Sequence, residues 1–202
     1  MVEIQKLHGG MVGMGMIFEE TYRPFFENAY QHGIHDSRSG IISLDIAAVA
    51  SRTGKRAAQY KESAGDRIND FTSYVEPGSM QQLLAHDIDF VCVATPDDRH
   101  FDAAMAAIAA GKHVLIEKPS VLSLQQLDQI IAAAQSASVI CKVVYHKLFD
   151  PDHKKLRTLV HDNVLQHVNN GYCTLLEPKE ISGAQFAEWI QGRNPGTYVA
   201  VH

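Results

Sequence analysis

Cysteine is scarce, basic runs are absent, and no apolar stretch is long. The three cysteines, Cys92, Cys141 and Cys173, are far apart, odd in number and without a CxxC pair. Neither a zinc framework nor a disulfide scaffold is therefore expected, and a reducing cytoplasm is the expected setting. The formal net charge is −5 with no cluster of Lys or Arg, so no phosphate-backbone partner is expected. No segment reaches the length of a membrane span, and Met1–Leu7 lacks the apolar core of a secretory signal, so no membrane association is expected. Eleven histidines are present, but neither His146 with His153 nor His161 with His167 has the spacing of a recognised metal site, and no metal is expected.

What is there is an alternation. Short apolar runs at Met11–Val12, Ile46–Ala50, Phe90–Ala94, Val114–Ile116 and Val139–Tyr145 are separated by segments of helical period. This pattern predicts parallel strands with crossover helices. Over Asp98–Ala110, Phe101, Ala104, Met105 and Ile108 form one helical face, and Gly111 stands where a left-handed cap is wanted. A second helix is predicted over Leu124–Gln135, opened by Ser123 and Gln126 at capping-box spacing. Past Lys154 the pattern changes: a helical stretch to about His167, a turn at Asn169-Asn170-Gly171, then a strand-like Tyr172–Leu176. A new layer is expected there. Thr197–His202 alternates like an opening strand and stops without a turn, which reads as a truncated second domain.

After the first apolar run comes Gly13-Met14-Gly15-Met16-Ile17-Phe18. The first glycine of such a pattern permits the tight strand-to-helix turn. The second lets backbone N–H groups approach a pyrophosphate, which also gains from the helix dipole. Phe18 replaces the small third residue that sets how closely the helix packs on the sheet, so a displaced helix is expected rather than a lost phosphate site. Taken alone, the pattern fits a structural glycine turn equally well. The second strand ends in Ala50-Ser51-Arg52-Thr53-Gly54-Lys55 without the acidic residue that holds the ribose hydroxyls of NAD. A hydroxyl at Ser51 beside the permanent charge of Arg52 suits a 2′-phosphate, and NADP is favoured over NAD. The alternative is that Arg52 and Lys55 only solvate a helix start.

Ala94-Thr95-Pro96-Asp97-Asp98-Arg99-His100, Ala110-Gly111-Lys112-His113-Val114 and Glu117-Lys118-Pro119 together closely resemble the Gfo/Idh/MocA family, over about Met11–Tyr145. The resemblance implies an α/β fold: a Rossmann-type doubly wound parallel sheet over residues 1–147, then the incomplete start of an α+β substrate domain over 148–202. It also implies an NAD(P)-dependent oxidoreductase that transfers hydride to or from a sugar, cyclitol or related polyol, homo-oligomeric in its full-length form. Lys118 would lie near the nicotinamide and the reacting carbon, aimed by Pro119, whose preceding bond can adopt the cis form at modest cost. Thr95, Pro96, His100 and Glu117 would be near the cofactor, as would Gly13, Gly15 and Met16.

The family's second domain usually supplies an Asp followed four residues later by a His that serves as general base. Here His202 matches and Tyr198 stands in place of Asp, which makes Lys118 and His202 the expected acid–base pair and Tyr198 an expected substrate contact. Tyr145 and His146, leaving the sixth strand of the family pattern, are expected at the substrate mouth. Two alternatives stay open: a non-catalytic dinucleotide-binding regulator, motivated by Phe18 and Tyr198, and a reductase of the same fold acting on a non-sugar substrate.

Overall fold

The structure, a computed structural model, describes residues 5–172 together with Thr174 and Leu176. It divides into two compact units, one ending at Val143 and the other starting at Val144.

The first unit is built on seven strands: β1 Gln5–Val12, β2 Ile34–Asp36, β3 Gly40–Ser51, β4 Thr72–Val75, β5 Phe90–Val93, β6 His113–Glu117 and β7 Cys141–Val144. Their order is β2-β3-β1-β5-β6-β7, with β4 also paired to β3. The pairings of β1 with β3 and β5, of β3 with β4 and of β5 with β6 are parallel, and β2 is antiparallel to β3. The chain thus leaves β1 to one side and returns to its other side with β5. That reversal of winding creates a crevice at the carboxyl ends of β1 and β5.

The apolar runs are nearly continuous because both sheet faces are covered. In β5, Val91 and Val93 enter one core cluster and Cys92 the other, as the two-residue period of a strand requires. In β3 this parity changes. Leu44, Ile46 and Val49 share one cluster, while Ala48 and Ala50 join the opposite one. The register with β1 slips at the same place, Gly9 facing Ile46 and Gly10 facing Ala48. Ala47 is therefore the extra residue of a bulge that moves the following side chains to the other face.

The helices follow the expected alternation: α1 Arg23–His32, α2 Lys55–Ala64, α3 Ser79–Leu84, α4 His100–Ala109 and α5 Leu124–Ala137. The Ser123 hydroxyl accepts from the Gln126 amide at 3.2 Å, and Gln126 Oε1 reaches back to the Leu122 amide, one residue before the usual capping-box partner. Gly111 has φ of 71°, as its capping place predicts. β2, β4 and the six-residue α3 are not legible as apolar periods. β3 also starts earlier than the run at Ile46, so Asp45 lies within the strand, its carboxylate held by His8 Nδ1 at 2.7 Å and Asn69 at 3.0 Å.

The second unit, in its described part, holds a 3-10 turn at His146–Phe149 and α6 Pro151–His161, capped by the Asp150 carboxylate. The helix ends at His161 rather than near His167, with Asn163 at φ 56° reversing the chain. Tyr172, Thr174 and Leu176, where a strand was expected, carry no strand assignment. No strand among the described residues of this unit offers them a hydrogen-bonding edge. No helix of the described residues is long and apolar enough to cross a membrane.

Candidate dinucleotide site

The glycine loop leaves β1 under tight restraint. Gly13 donates to the Ala50 carbonyl at 3.0 Å, and the Ala94 amide donates to the Val12 carbonyl at 2.9 Å, so the loop is tied to the ends of both flanking strands. Gly13 has φ of 90°, and a Cβ there would stand 2.5 Å from the Ala94 carbonyl oxygen. Only glycine fits. Gly15 is different: the nearest neighbour of a Cβ would be Arg56 Nη1 at 3.8 Å, so the space above this residue is open to a ligand. Helical backbone begins at the half-exposed Met16 and passes at once into a π-helical turn, Phe18–Tyr22, before α1. Phe18 is fully buried, its ring edge-on to Tyr60 at 5.1 Å. The bulky third position is accommodated by a changed helix start that points the ring into the core.

A crevice of about 600 Å³ opens here, walled by Val12–Gly15, Ala50–Thr53 and Ala94–Pro96, with Lys55, Arg56, Gln59, Glu76, Ser79, Met80 and Arg99. Its volume is that of a cofactor pocket. Ser51 Oγ accepts from the Gly54 amide at 3.1 Å, forming the turn that carries the exposed Arg52. Arg56 Nη1 donates to the Met14 carbonyl at 2.9 Å and thereby stands over the glycine loop. Four cations thus face one carboxylate in the wall. That carboxylate, Glu76, follows β4 rather than β3 and accepts from Ser79 at 2.8 Å. Arg56 and Arg99 were not singled out by the sequence. The available signal was that Arg56 lies in the first turn of α2, four residues after Arg52.

Thr95 and Pro96 line the same crevice, and Thr95 Oγ1 is buried without a hydrogen-bond partner. His100 does not line it. It is 1% exposed, with Nδ1 2.7 Å from the Pro119 carbonyl oxygen and Nε2 2.7 Å from the Thr95 carbonyl oxygen. The imidazole ties the Thr95-Pro96 turn to the Glu117-Lys118-Pro119 loop rather than offering a nitrogen to a ligand. Glu117 is likewise buried at 4% exposure, accepting from the Tyr22 hydroxyl at 2.8 Å. Both residues were expected beside the cofactor; the structure places them behind the loops that shape its site.

Lys118 is half-buried at the carboxyl end of β6, and its bond to Pro119 is cis. Tyr145 and His146 belong to the second unit, at the start of its 3-10 turn. Tyr198 and His202 lie outside the described residues.

Burial, supplemented by the Glu117 charge, pushes the Cys92 thiol up to about 12. At pH 8 it is then held almost wholly as the thiol. Cys92 in the folded chain is expected to resist iodoacetamide at pH 8 and to react only on unfolding, as read by mass spectrometry of the alkylated peptides. Labelling at the rate of the denatured chain would contradict the buried placement.

A doubly wound parallel sheet, with a glycine turn and a cationic crevice at its point of reversal, defines a dinucleotide-binding protein of the Rossmann type. The chain belongs to the Gfo/Idh/MocA oxidoreductases: the family described as "oxidoreductase family, NAD-binding Rossmann fold" matches residues 7–145. An uncharacterized oxidoreductase of Escherichia coli (strain K12) is 37% identical over 140 residues, 65% of this chain and 40% of that protein. The scyllo-inositol 2-dehydrogenase (NADP(+)) of Bacillus subtilis (strain 168) is 28% identical over 142 residues, 68% of this chain and 40% of that protein. Among solved structures, a 3-ketoreductase from Actinomadura kijaniata in complex with NADP and TDP-benzene aligns with a TM-score of 0.63 at 24% identity, over 79% of this chain and 43% of that one. The chain spans about 40% of the length of the curated relatives it matches.

Proposed function

We propose that this chain binds NADP(H) in preference to NAD(H), as the cofactor-holding part of an oxidoreductase acting on a sugar, cyclitol or related polyol. The observation that carries the cofactor preference is the end of β3. Arg52 and Arg56 both line the crevice there, Arg56 beside the open surface over Gly15, and no carboxylate of β3 lines it. A guanidinium keeps its charge at all working pH values and offers paired donors to a phosphate.

Three features of the site fit a dinucleotide. The Gly13 turn leaves no room for a side chain, Gly15 leaves space for close backbone approach, and the orphaned Thr95 hydroxyl can bond to a group in the crevice. Backbone N–H groups from Gly15 onward would meet the pyrophosphate, and Arg52 with Ser51 the 2′-phosphate. The nicotinamide ring supplies the hydride chemistry. Lys118 would polarise the substrate oxygen, and His202 would exchange the hydroxyl proton with it as acid–base partner. Tyr145, His146 and Tyr198 would contribute to substrate binding. The relatives named for scyllo-inositol and for D-xylose, both marked NADP(+), support the cofactor and the substrate class.

The test is titration of the chain with NADPH and NADH at fixed salt. NADPH is expected to bind more tightly. Arg52→Ala is expected to weaken it about 30- to 100-fold, the scale of a lost charge-assisted pair, and to leave NADH nearly unchanged. Tighter binding of NADH by the unaltered chain would overturn the preference.

A further inference from the structure

The helical segment after the glycine loop carries a feature that dinucleotide binding does not require. Phe18–Tyr22 is π-helical, a form found mostly as single turns and often at functional sites. Each residue inserted into an α-helical turn rotates everything after it by about 100° around the axis. At the end of this turn Tyr22 is 5% exposed and donates its hydroxyl to Glu117 Oε1 at 2.8 Å, across 95 positions of sequence. Burial first, then the neighbouring Cys92 and the Glu117 carboxylate, raise Tyr22 far above the ordinary range, so it remains a donor. Glu117 immediately precedes Lys118. On the far side of Lys118, the Pro119 carbonyl oxygen lies 2.7 Å from His100 Nδ1. The lysine therefore sits between two neighbours, each held by a buried side chain from another element.

We propose that Tyr22 is a positioning residue for Lys118: its hydrogen bond to the Glu117 carboxylate holds the Lys118 backbone in register with the glycine loop. This rests on the reading of Lys118 as a residue beside the cofactor. The π turn delivers the hydroxyl, and the segment that starts at the dinucleotide loop then fixes the loop that bears the lysine. A carboxylate at Glu117 suits the role because a charge-assisted hydrogen bond in the core is stronger and more directional than a neutral one. Tyr22 acts through Glu117 and is not itself a catalytic residue.

The experiment compares Tyr22→Phe with the double variant Tyr22→Phe/Glu117→Gln and with Glu117→Gln alone, in the whole 202-residue chain. Two quantities are read: amide exchange at Lys118 and Ser120, and acetylation of Lys118 with and without saturating NADPH. In Tyr22→Phe, exchange at these amides is expected to rise about tenfold with α5 unchanged, the mark of local rather than global opening. NADPH is expected to slow Lys118 acetylation in the unaltered chain and to lose most of that protection in Tyr22→Phe while still binding.

The double variant removes the uncompensated charge but not the missing tether. Its thermal midpoint should recover while Lys118 exchange stays high. Glu117→Gln alone, whose amide oxygen still accepts from Tyr22, should keep exchange within about twofold of the unaltered chain. Exchange unchanged in Tyr22→Phe, raised evenly over the whole unit, or restored in the double variant would overturn the proposal. If NADPH binds but fails to shield Lys118 even in the unaltered chain, the reading of Lys118 fails instead, while the exchange result still decides the tether.

Discussion

Gly13→Ala is expected to destabilise the first unit by about 2–4 kcal/mol and to abolish dinucleotide binding, a cost made of left-handed strain and a backbone clash together. The residue has φ of 90°, and the added Cβ would lie 2.5 Å from the Ala94 carbonyl oxygen. Neither partner can yield cheaply. The Gly13 amide is committed to the Ala50 carbonyl, and the Ala94 amide to the Val12 carbonyl, so relief of the clash breaks the join between β1 and one of its neighbours. Urea unfolding and NADPH titration measure the two losses separately. Gly15→Ala is the control. Its Cβ meets only Arg56 Nη1 at 3.8 Å, so this variant should keep its stability and lose affinity alone. A Gly13→Ala chain as stable as the original would mean that the loop is not locked as described.

The second large effect is expected from Phe18→Ala, which introduces the residue a standard dinucleotide fingerprint has at this position. It should nonetheless cost about 3–5 kcal/mol, the range for truncating a buried phenylalanine. Phe18 is fully buried and packs edge-to-face on Tyr60, which in turn stacks on Phe71 at 6.0 Å. Alanine would leave a hole beside the Tyr60 ring, which itself stacks on Phe71. Chemical denaturation with an unchanged slope would give the value cleanly. A variant as stable as the parent would show instead that the helix start closes onto the sheet, as in proteins with a small residue at that place.

These two cases mark how legible the protein was. The role of Gly13 followed from its place after an apolar run. The consequence of Phe18 did not, because a bulky third residue signals a displaced helix without saying which way the ring turns. The same division runs through the rest of the fold. Gly111, the Ser123–Gln126 cap and the alternating apolar runs are local chemistry, complete within a few residues, and the structure shows each of them. The extent of β3 was missed because Ser43 and Asp45 interrupt its apolar run, and only the neighbours His8 and Asn69 make a carboxylate acceptable there. The helix expected to reach His167 stops at His161, where the chain turns through Asn163 at positive φ.

Within the candidate site, Gly13, Gly15, Ser51, Arg52, Thr95 and Pro96 meet in one crevice, as their places after successive strands implied. Their positions follow from sequence because every parallel strand delivers its exit loop to the same edge of the sheet. Arg56 over the Met14 carbonyl, His100 between two loops and Tyr22 on Glu117 belong to another category. Each joins polar groups that no spacing rule relates, through contacts that exist only once β1 lies beside β3 and β5, and β5 beside β6. The sequence by itself determined the turns, the caps, the apolar alternation and the family. Tertiary structure alone decided which buried polar groups face each other, since a hydrogen bond across 95 residues leaves no periodic trace in the chain.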